Sequence, residues 1–295
     1  MISVLTNPGA MVALQALNAT QSELNTTQND ISTGLKINSA KDNAATWTVA
    51  TTMQANVASL NQVSSDLGNA DSILGTAVSG AGQITSLVSQ IRAQIASYTD
   101  TATNQTATQS NVTQLAAQID STVTSSSFNG VDLLDGSHAG GLTFVAATNN
   151  SYVGGSASPT ISTGASVDLS SASANATVTA FNTLVSNLST AITGATPAAQ
   201  QTALDTALQT VDKYNALVQS QAAQFGSVQS SVEQQQTFVN NLADTFQTGA
   251  GNMVDADMTT ESAQLSALQV QQQLGTQALS IANQAPQMLL KLFGG

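Results

Sequence analysis

From Leu60 onward, apolar residues recur at alternating steps of three and four: Val63, Leu67, Ala70, Leu74, Ala77, Ala81, Ile84, Val88, Ile91, Ile95, Tyr98. No member of the series is polar. This spacing is the seam of a coiled-coil helix. With Asp42 or Asn43 as its cap, such a helix would run to Tyr98 and measure about 80 Å at roughly 1.5 Å per residue. A helix of that length does not fit inside a globule, so the chain is expected to form a rod.

A second long seam answers the first: Leu204, Leu208, Val211, Asn215, Val218, Ala222, Phe225, Gln229, Val232, Gln236, Val239, Ala243, Phe246. Shorter seams lie at the two ends. One holds Leu14, Leu17, Gln21, Leu24, Gln28, Ile31 and Leu35, with Pro8 where a first helical turn tolerates it. The other holds Leu265, Leu268, Gln272, Gly275, Leu279, Ala282, Pro286 and Leu289. Further helices are predicted over 104–126 and from about 174 through Phe181, Leu184, Val185 and Leu188, until Pro197 breaks the period.

Between them, residues 128–170 are rich in Gly, Asn and Ser. Asn129-Gly130 is a hairpin-turn pair and "LTFVA" reads as a strand. The expected fold is therefore mainly α: an elongated antiparallel helical bundle or coiled-coil rod with a small β-hairpin region in the middle of the chain. The expected segments are a terminal helix and linker (1–41), long helices (42–127), a hairpin and surface segment (128–173), returning helices (174–254) and a second terminal helix (255–295).

Charge narrows the function. Five basic and 17 acidic residues give a net charge of −12, and no Lys/Arg cluster exists to displace phosphate counterions, which excludes nucleic acid. Without cysteine there is no disulfide, thiolate metal site or cysteine nucleophile. No apolar run is long enough for membrane insertion, and the N-terminus lacks the basic and apolar regions of a cleaved signal peptide.

No catalytic constellation is present. His138 is the only histidine, and the sequence has no zinc-protease, nucleophile-elbow or phosphate-loop motif. Asp255 and Asp257 lie two apart without a third oxygen cluster, so helix capping is expected of them rather than metal binding. The reading is a non-enzyme with no cofactor and no metal.

Residues 1–35 hold only Glu23 and Asp30 as charges, and residues 262–295 only Lys291. Chain ends are ordinarily polar and frayed; these are apolar and periodic. Two short helices pairing only with each other would be marginal. Leu14, Leu17, Leu24, Ile31, Leu35, Leu265, Leu268, Leu279 and Leu289 are therefore expected to face neighbouring copies of the chain. Seam glutamines set register there, as buried polar residues do in coiled coils.

Three segments resemble bacterial flagellin. "ISTGLKINSAKDNAA" (31–45) is similar to the family's Leu-Ser-Ser-Gly-(basic)-Ile-Asn-Ser-Ala-Lys-Asp-Asp-Ala-Ala signature, and "SSFNGVDLLDG" (126–136) to its Phe-Asn-Gly…Leu-Leu-(Asp)-Gly motif. "DADMTTESAQLSALQVQQQLGTQALSIANQAPQMLLKL" (255–292) resembles its C-terminus. The non-helical region is short, so the resemblance is to a form lacking large outer domains.

It implies an extracellular structural subunit of the flagellar filament, a helical homopolymer serving motility. It also implies export through the flagellar channel without a cleaved signal peptide. The implied partners are the export apparatus and an export chaperone, hook-associated and cap proteins, and sister flagellins. On the same resemblance Lys36, Lys41, Asp42 and Trp47 join the subunit interface, where the chain crosses from the inner helix to the outer. Residues 88–97 keep Arg92 but lack the pattern that Toll-like receptors recognise, and the chain ends in "KLFGG" rather than in the family's usual terminus. The alternatives are a hook–filament junction protein and, more remotely, a soluble coiled-coil adaptor.

Overall fold

The computed structural model describes residues 7–98, 102–147, 160–170, 173–192 and 196–293. Six helices and four short strands follow in the order α1 (Pro8–Thr33), α2 (Ala44–Ala96), α3 (Ala102–Ser125), β1 (Ser127–Phe128), β2 (Val131–Asp132), β3 (Thr143–Val145), β4 (Thr160–Ser162), α4 (Ala176–Ile192), α5 (Pro197–Val254) and α6 (Met258–Phe293). Two compact units result. One comprises residues 58–243; the other joins the N-terminal residues up to 57 to those from 244 onward.

Local chemistry starts these helices where the sequence indicates. The Asn43 side chain accepts from the Thr46 N–H at 3.1 Å and caps α2, so Asn43, not Asp42, is the cap. Asp42 closes the turn before it, accepting from the Ser39 N–H at 2.9 Å, the Ser39 hydroxyl at 3.0 Å and the Asn38 N–H at 3.2 Å. Pro8 and Pro197 open α1 and α5, where a missing N–H costs nothing. Asn175 accepts from the Thr177 N–H at 3.0 Å ahead of α4.

Within the 58–243 unit, the predicted α2 seam is the core. Every member from Leu60 to Ile95 is buried, and Leu67, Ala70, Leu74, Ala81, Ile84 and Ile91 are fully so. Each large aliphatic contributes about 1.5–3 kcal/mol by leaving water. Helix α5 runs antiparallel to α2. The Ser64 hydroxyl donates to Asn240 Oδ1 at 2.7 Å, Gln236 donates to the Ser64 carbonyl at 3.1 Å, and Gln229 to Asp71 at 2.9 Å. The Arg92 guanidinium meets Asp212 at 2.8 Å, the one ion pair among the described residues.

The α5 seam departs from expectation on one side. Val211, Val218, Phe225, Val232 and Val239 are fully buried, but so are Tyr214 and Ala207, beside the predicted Asn215 and Leu208. The reason is a second layer. Tyr214 stacks on Phe181 of α4, centroids 4.3 Å apart and planes within 8°, and its hydroxyl donates to the Leu169 carbonyl at 2.8 Å. Burial holds the Tyr214 phenol neutral far above its ordinary range.

Strands β1 and β2 form a hairpin in which Asn129 (φ 50°) and Gly130 (φ 77°) make the turn, as the Asn-Gly pair predicts. Strand β3 lies in "LTFVA" and pairs antiparallel with β4, which sequence reading did not single out. Ser126 packs so close to α2 that a Cβ on Gly80 would collide with its hydroxyl. Part of the expected surface segment, residues 148–159 and 171–172, lies outside the described residues.

Candidate assembly interface

The second unit is built on α1 and α6. They pack antiparallel, as three heights along the pair show. Near the end of α1, Leu35 and Asp255 form an antiparallel bridge: the Lys36 N–H donates to the Val254 carbonyl at 2.7 Å and the Ala256 N–H to the Gly34 carbonyl at 2.9 Å. Gly34 makes this turn possible. It ends α1 in the left-handed region at φ 73°, which its missing Cβ permits. Midway, the Gln272 amide donates to Gln21 Oε1, and Leu17 lies against Gly275, where a Cβ would stand 3.3 Å from the leucine Cδ1. At the far end, the Asn7 amide reaches the Ala282 carbonyl at 2.7 Å.

The two terminal helices, whose apolar residues are expected to face neighbouring copies, thus also pair with each other within one chain. Helix α6 has 36 residues and α1 26, longer than the seams alone imply. Their linkers are tied by backbone hydrogen bonds, which offset the cost of pairing two helices.

The predicted interface residues divide accordingly. Leu24 and Leu268 are buried inside the unit. Leu17, Ile31, Leu35, Leu265 and Leu279 are partly covered, while Lys36, Lys41 and Asp42 are exposed. Leu14 keeps 47% of its surface and Trp47 36%. The side chain of Leu289 lies outside the described residues.

Sequence reading missed a further set. Met11 and Val12 on α1, and Val270, Leu274 and Ile281 on α6, each keep more than half their surface exposed. Pro8, Met11, Val12, Leu14, Gln15 and Asn18 line an open groove of about 530 Å³. The signal was a second apolar stripe on α6, off the seam, at 270, 274 and 281. A helix apolar on one face uses it against its own chain; one apolar on two faces has a surface left over.

Two carboxylates of this unit serve the linkers. Hydrogen bonds from the Ser39 hydroxyl and N–H hold the Asp42 carboxyl below its ordinary range, aided by the neighbouring Lys41. Asp257 is held low by the Thr260 hydroxyl and the Thr259 and Thr260 N–H groups, and so caps α6. Asp30, partly desolvated and near Asp42, is shifted up. In the other unit, burial likewise raises Asp132. Among the described residues no group of three or more His, Cys, Asp or Glu is placed to hold a metal, and no helix is long and apolar enough to cross a membrane.

The terminal unit is thus a charge-poor antiparallel helix pair that leaves large apolar side chains exposed. The family of the chain follows from comparison. Residues 4–139 match the bacterial flagellin N-terminal helical region and residues 208–293 the bacterial flagellin C-terminal helical region. The chain is 38% identical to Flagellin FljK of Caulobacter vibrioides over 294 residues, covering 99% of this chain and 98% of that one. It is 38% identical to a flagellin of Brucella melitensis over the full length of both. It is 34% identical to Flagellin C of Rhizobium meliloti over 322 residues, 99% of each. The chain belongs to the bacterial flagellins. It is a structural subunit of the flagellar filament, the extracellular polymer that serves motility.

Proposed function

We propose that the filament is built through the uncharged faces of α1 and α6. The observation that carries this is the exposure of Met11 (68%), Val12 (66%), Leu274 (59%) and Ile281 (63%) on helices with almost no charge. Packing them against neighbouring subunits removes them from water, at about 1.5–3 kcal/mol for each full burial. Ordering of chain offsets part of that, so assembly is reversible.

Lys36, Lys41 and Asp42 lie at the linker and Trp47 on the first turn of α2; they supply specificity more than affinity, because charges at such contacts fix orientation. Leu14, Leu17, Ile31, Leu35, Leu265, Leu279 and Leu289 complete the surface, with Leu24 and Leu268 supporting it from within. The subunit acts structurally and not as a catalyst. It travels through the flagellar export apparatus without a cleaved signal peptide, escorted by a chaperone that covers the same apolar faces, and joins hook-associated and cap proteins and sister flagellins. The filament-subunit reading is favoured over a junction protein by full-length similarity to several flagellins.

Seeded growth followed by electron microscopy tests the proposal. Leu274→Asp with Ile281→Asp places two charges on the outer face of α6 without touching the α1–α6 seam. The variant is expected to keep wild-type helicity and lose filament growth. Filaments of normal length from this variant would remove α6 from the interface.

A further inference from the structure

We infer that Asn7 and Pro286 form a latch that sets the register of α1 against α6, and so decides which side chains those helices turn outward. In an unbroken α-helix the N–H of residue 286 donates to the carbonyl of residue 282. Proline has no N–H, so Pro286, inside α6, leaves the Ala282 carbonyl without its helical donor. That carbonyl receives the Asn7 amide at 2.7 Å instead, from 275 positions away.

The other half of the same side chain is occupied as well. Asn7 Oδ1 accepts from the Ala10 N–H at 3.2 Å and caps α1. One amide thus satisfies an orphan donor of one helix and a vacated acceptor of the other, and only with both contacts made is its orientation fixed. The proline therefore leaves an acceptor without the donor that an unbroken helix would supply.

Register needs such a device because the seam is nearly degenerate. Gln21 and Gln28 are one heptad apart, as are Leu17 and Leu24. Sliding α1 by one heptad, about 10 Å, would set Gln28 opposite Gln272 and Leu24 opposite Gly275, an amide on an amide and a leucine on a glycine. The linker bridge at Leu35 and Asp255 opposes the slide at one end. Asn7 opposes it at the other, because a slid α1 carries the amide away from Ala282, and no other carbonyl of α6 is vacated by a proline within reach. The consequence for assembly rests on the proposed use of the outer faces of α1 and α6.

The full chain has no cysteine, so paired cysteines report register directly. A Cβ at position 275 would lie 3.9 Å from that of Leu17, within disulfide range. Leu17→Cys with Gly275→Cys therefore reads the native register, and Leu24→Cys with Gly275→Cys the slid one. Asn7→Asp keeps the capping acceptor and removes the donor. Pro286→Ala restores the helical N–H, which then competes with Asn7 for Ala282. Each is expected to raise the slid-register crosslink about tenfold, the size of one lost hydrogen bond to a part-buried acceptor. Combining them should raise it no further, because both break one contact.

Unchanged crosslinks in both variants, or effects that multiply when combined, would overturn the latch. Should Asn7→Asp lose helicity, Asn7→Ser, which also caps but has no amide, carries the same expectation. Crosslinks that shift while seeded filaments grow normally would leave the latch standing and refute the assembly role of these faces.

Discussion

The backbone N–H of Lys36 donates to the carbonyl of Val254 at 2.7 Å, although 218 positions separate the two in sequence. With its companion bond from Ala256 to Gly34 at 2.9 Å, it fastens both helix linkers into one antiparallel bridge. Gly34 stands at φ 73° at this point. Gly34→Ala is expected to weaken the α1–α6 unit by about 1 kcal/mol, the cost of a left-handed conformation at a residue with a Cβ. Faster hydrogen exchange at the Lys36 and Ala256 amides, with the 58–243 unit unchanged, is the measurement.

The Gln21–Gln272 pair should show strong coupling. Gln21→Leu or Gln272→Leu alone strands the other amide at a half-covered site and is expected to cost about 1 kcal/mol. Replacing both should be close to neutral, since neither amide then needs a partner. Thermal melting of the two single variants and the double variant decides it; additive losses would mean that the two amides do not depend on each other.

Acid should open the linkers before the long helices. Asp42 and Asp257 both have carboxyls held below the ordinary range. Their stabilisation is complete above that range and is lost as pH falls through the lowered values. Asp30 and Asp132, which burial shifts upward, act in the opposite sense: their protonation favours the folded chain. The 38–42 turn and the first turn of α6 are therefore expected to lose amide protection first on acidification. Asp42→Asn should flatten that pH dependence for the 38–42 turn alone.

In the 58–243 unit the Phe181–Tyr214 stack is fully buried against the second face of α5. Phe181→Ala is expected to cost about 3–5 kcal/mol, as large-to-small changes in a core do. Tyr214→Phe keeps the stack but strands the Leu169 carbonyl, costing about 1–3 kcal/mol. Denaturant titration of both would rank them, and the reverse order would place the weight on the hydrogen bond. Because the folded phenol is held neutral, stability should also fall as pH rises above the ordinary tyrosine range.

Removing residues 262–295 deletes most of α6 and its outer stripe while leaving the 58–243 unit complete. The truncated chain is expected to keep its α2–α5 helicity by circular dichroism and to sediment as a monomer under seeding conditions. A truncated chain that polymerises, or one that unfolds altogether, would contradict this division of labour.

The sequence by itself determined where the helices lie, because burial on one face imposes a period that repeats for dozens of residues. Every member of the series from Leu60 to Ile95 is buried on α2, with Leu87 and Ala50 added, while its last member, Tyr98, lies past the end of the helix and is only partly covered. It determined the first helical turn at Pro8 and the Asn129-Gly130 turn as well, since each depends on neighbours one to four residues away. It also carried the family, through motifs at both ends and in the middle.

The tertiary structure alone decided the rest. Nothing near Tyr214 in sequence announces Phe181 or Leu169, so the second packed face of α5 read as surface. The exposed stripe of Val270, Leu274 and Ile281 became distinguishable from the seam only once Leu268 was seen buried beside it. Pro286 reads in sequence as an imperfection in a helix; only the fold brings Asn7 to the carbonyl it frees. Periodicity is a local property that the chain writes into itself. A hydrogen bond between residues 275 positions apart exists only when two helices have already chosen their register.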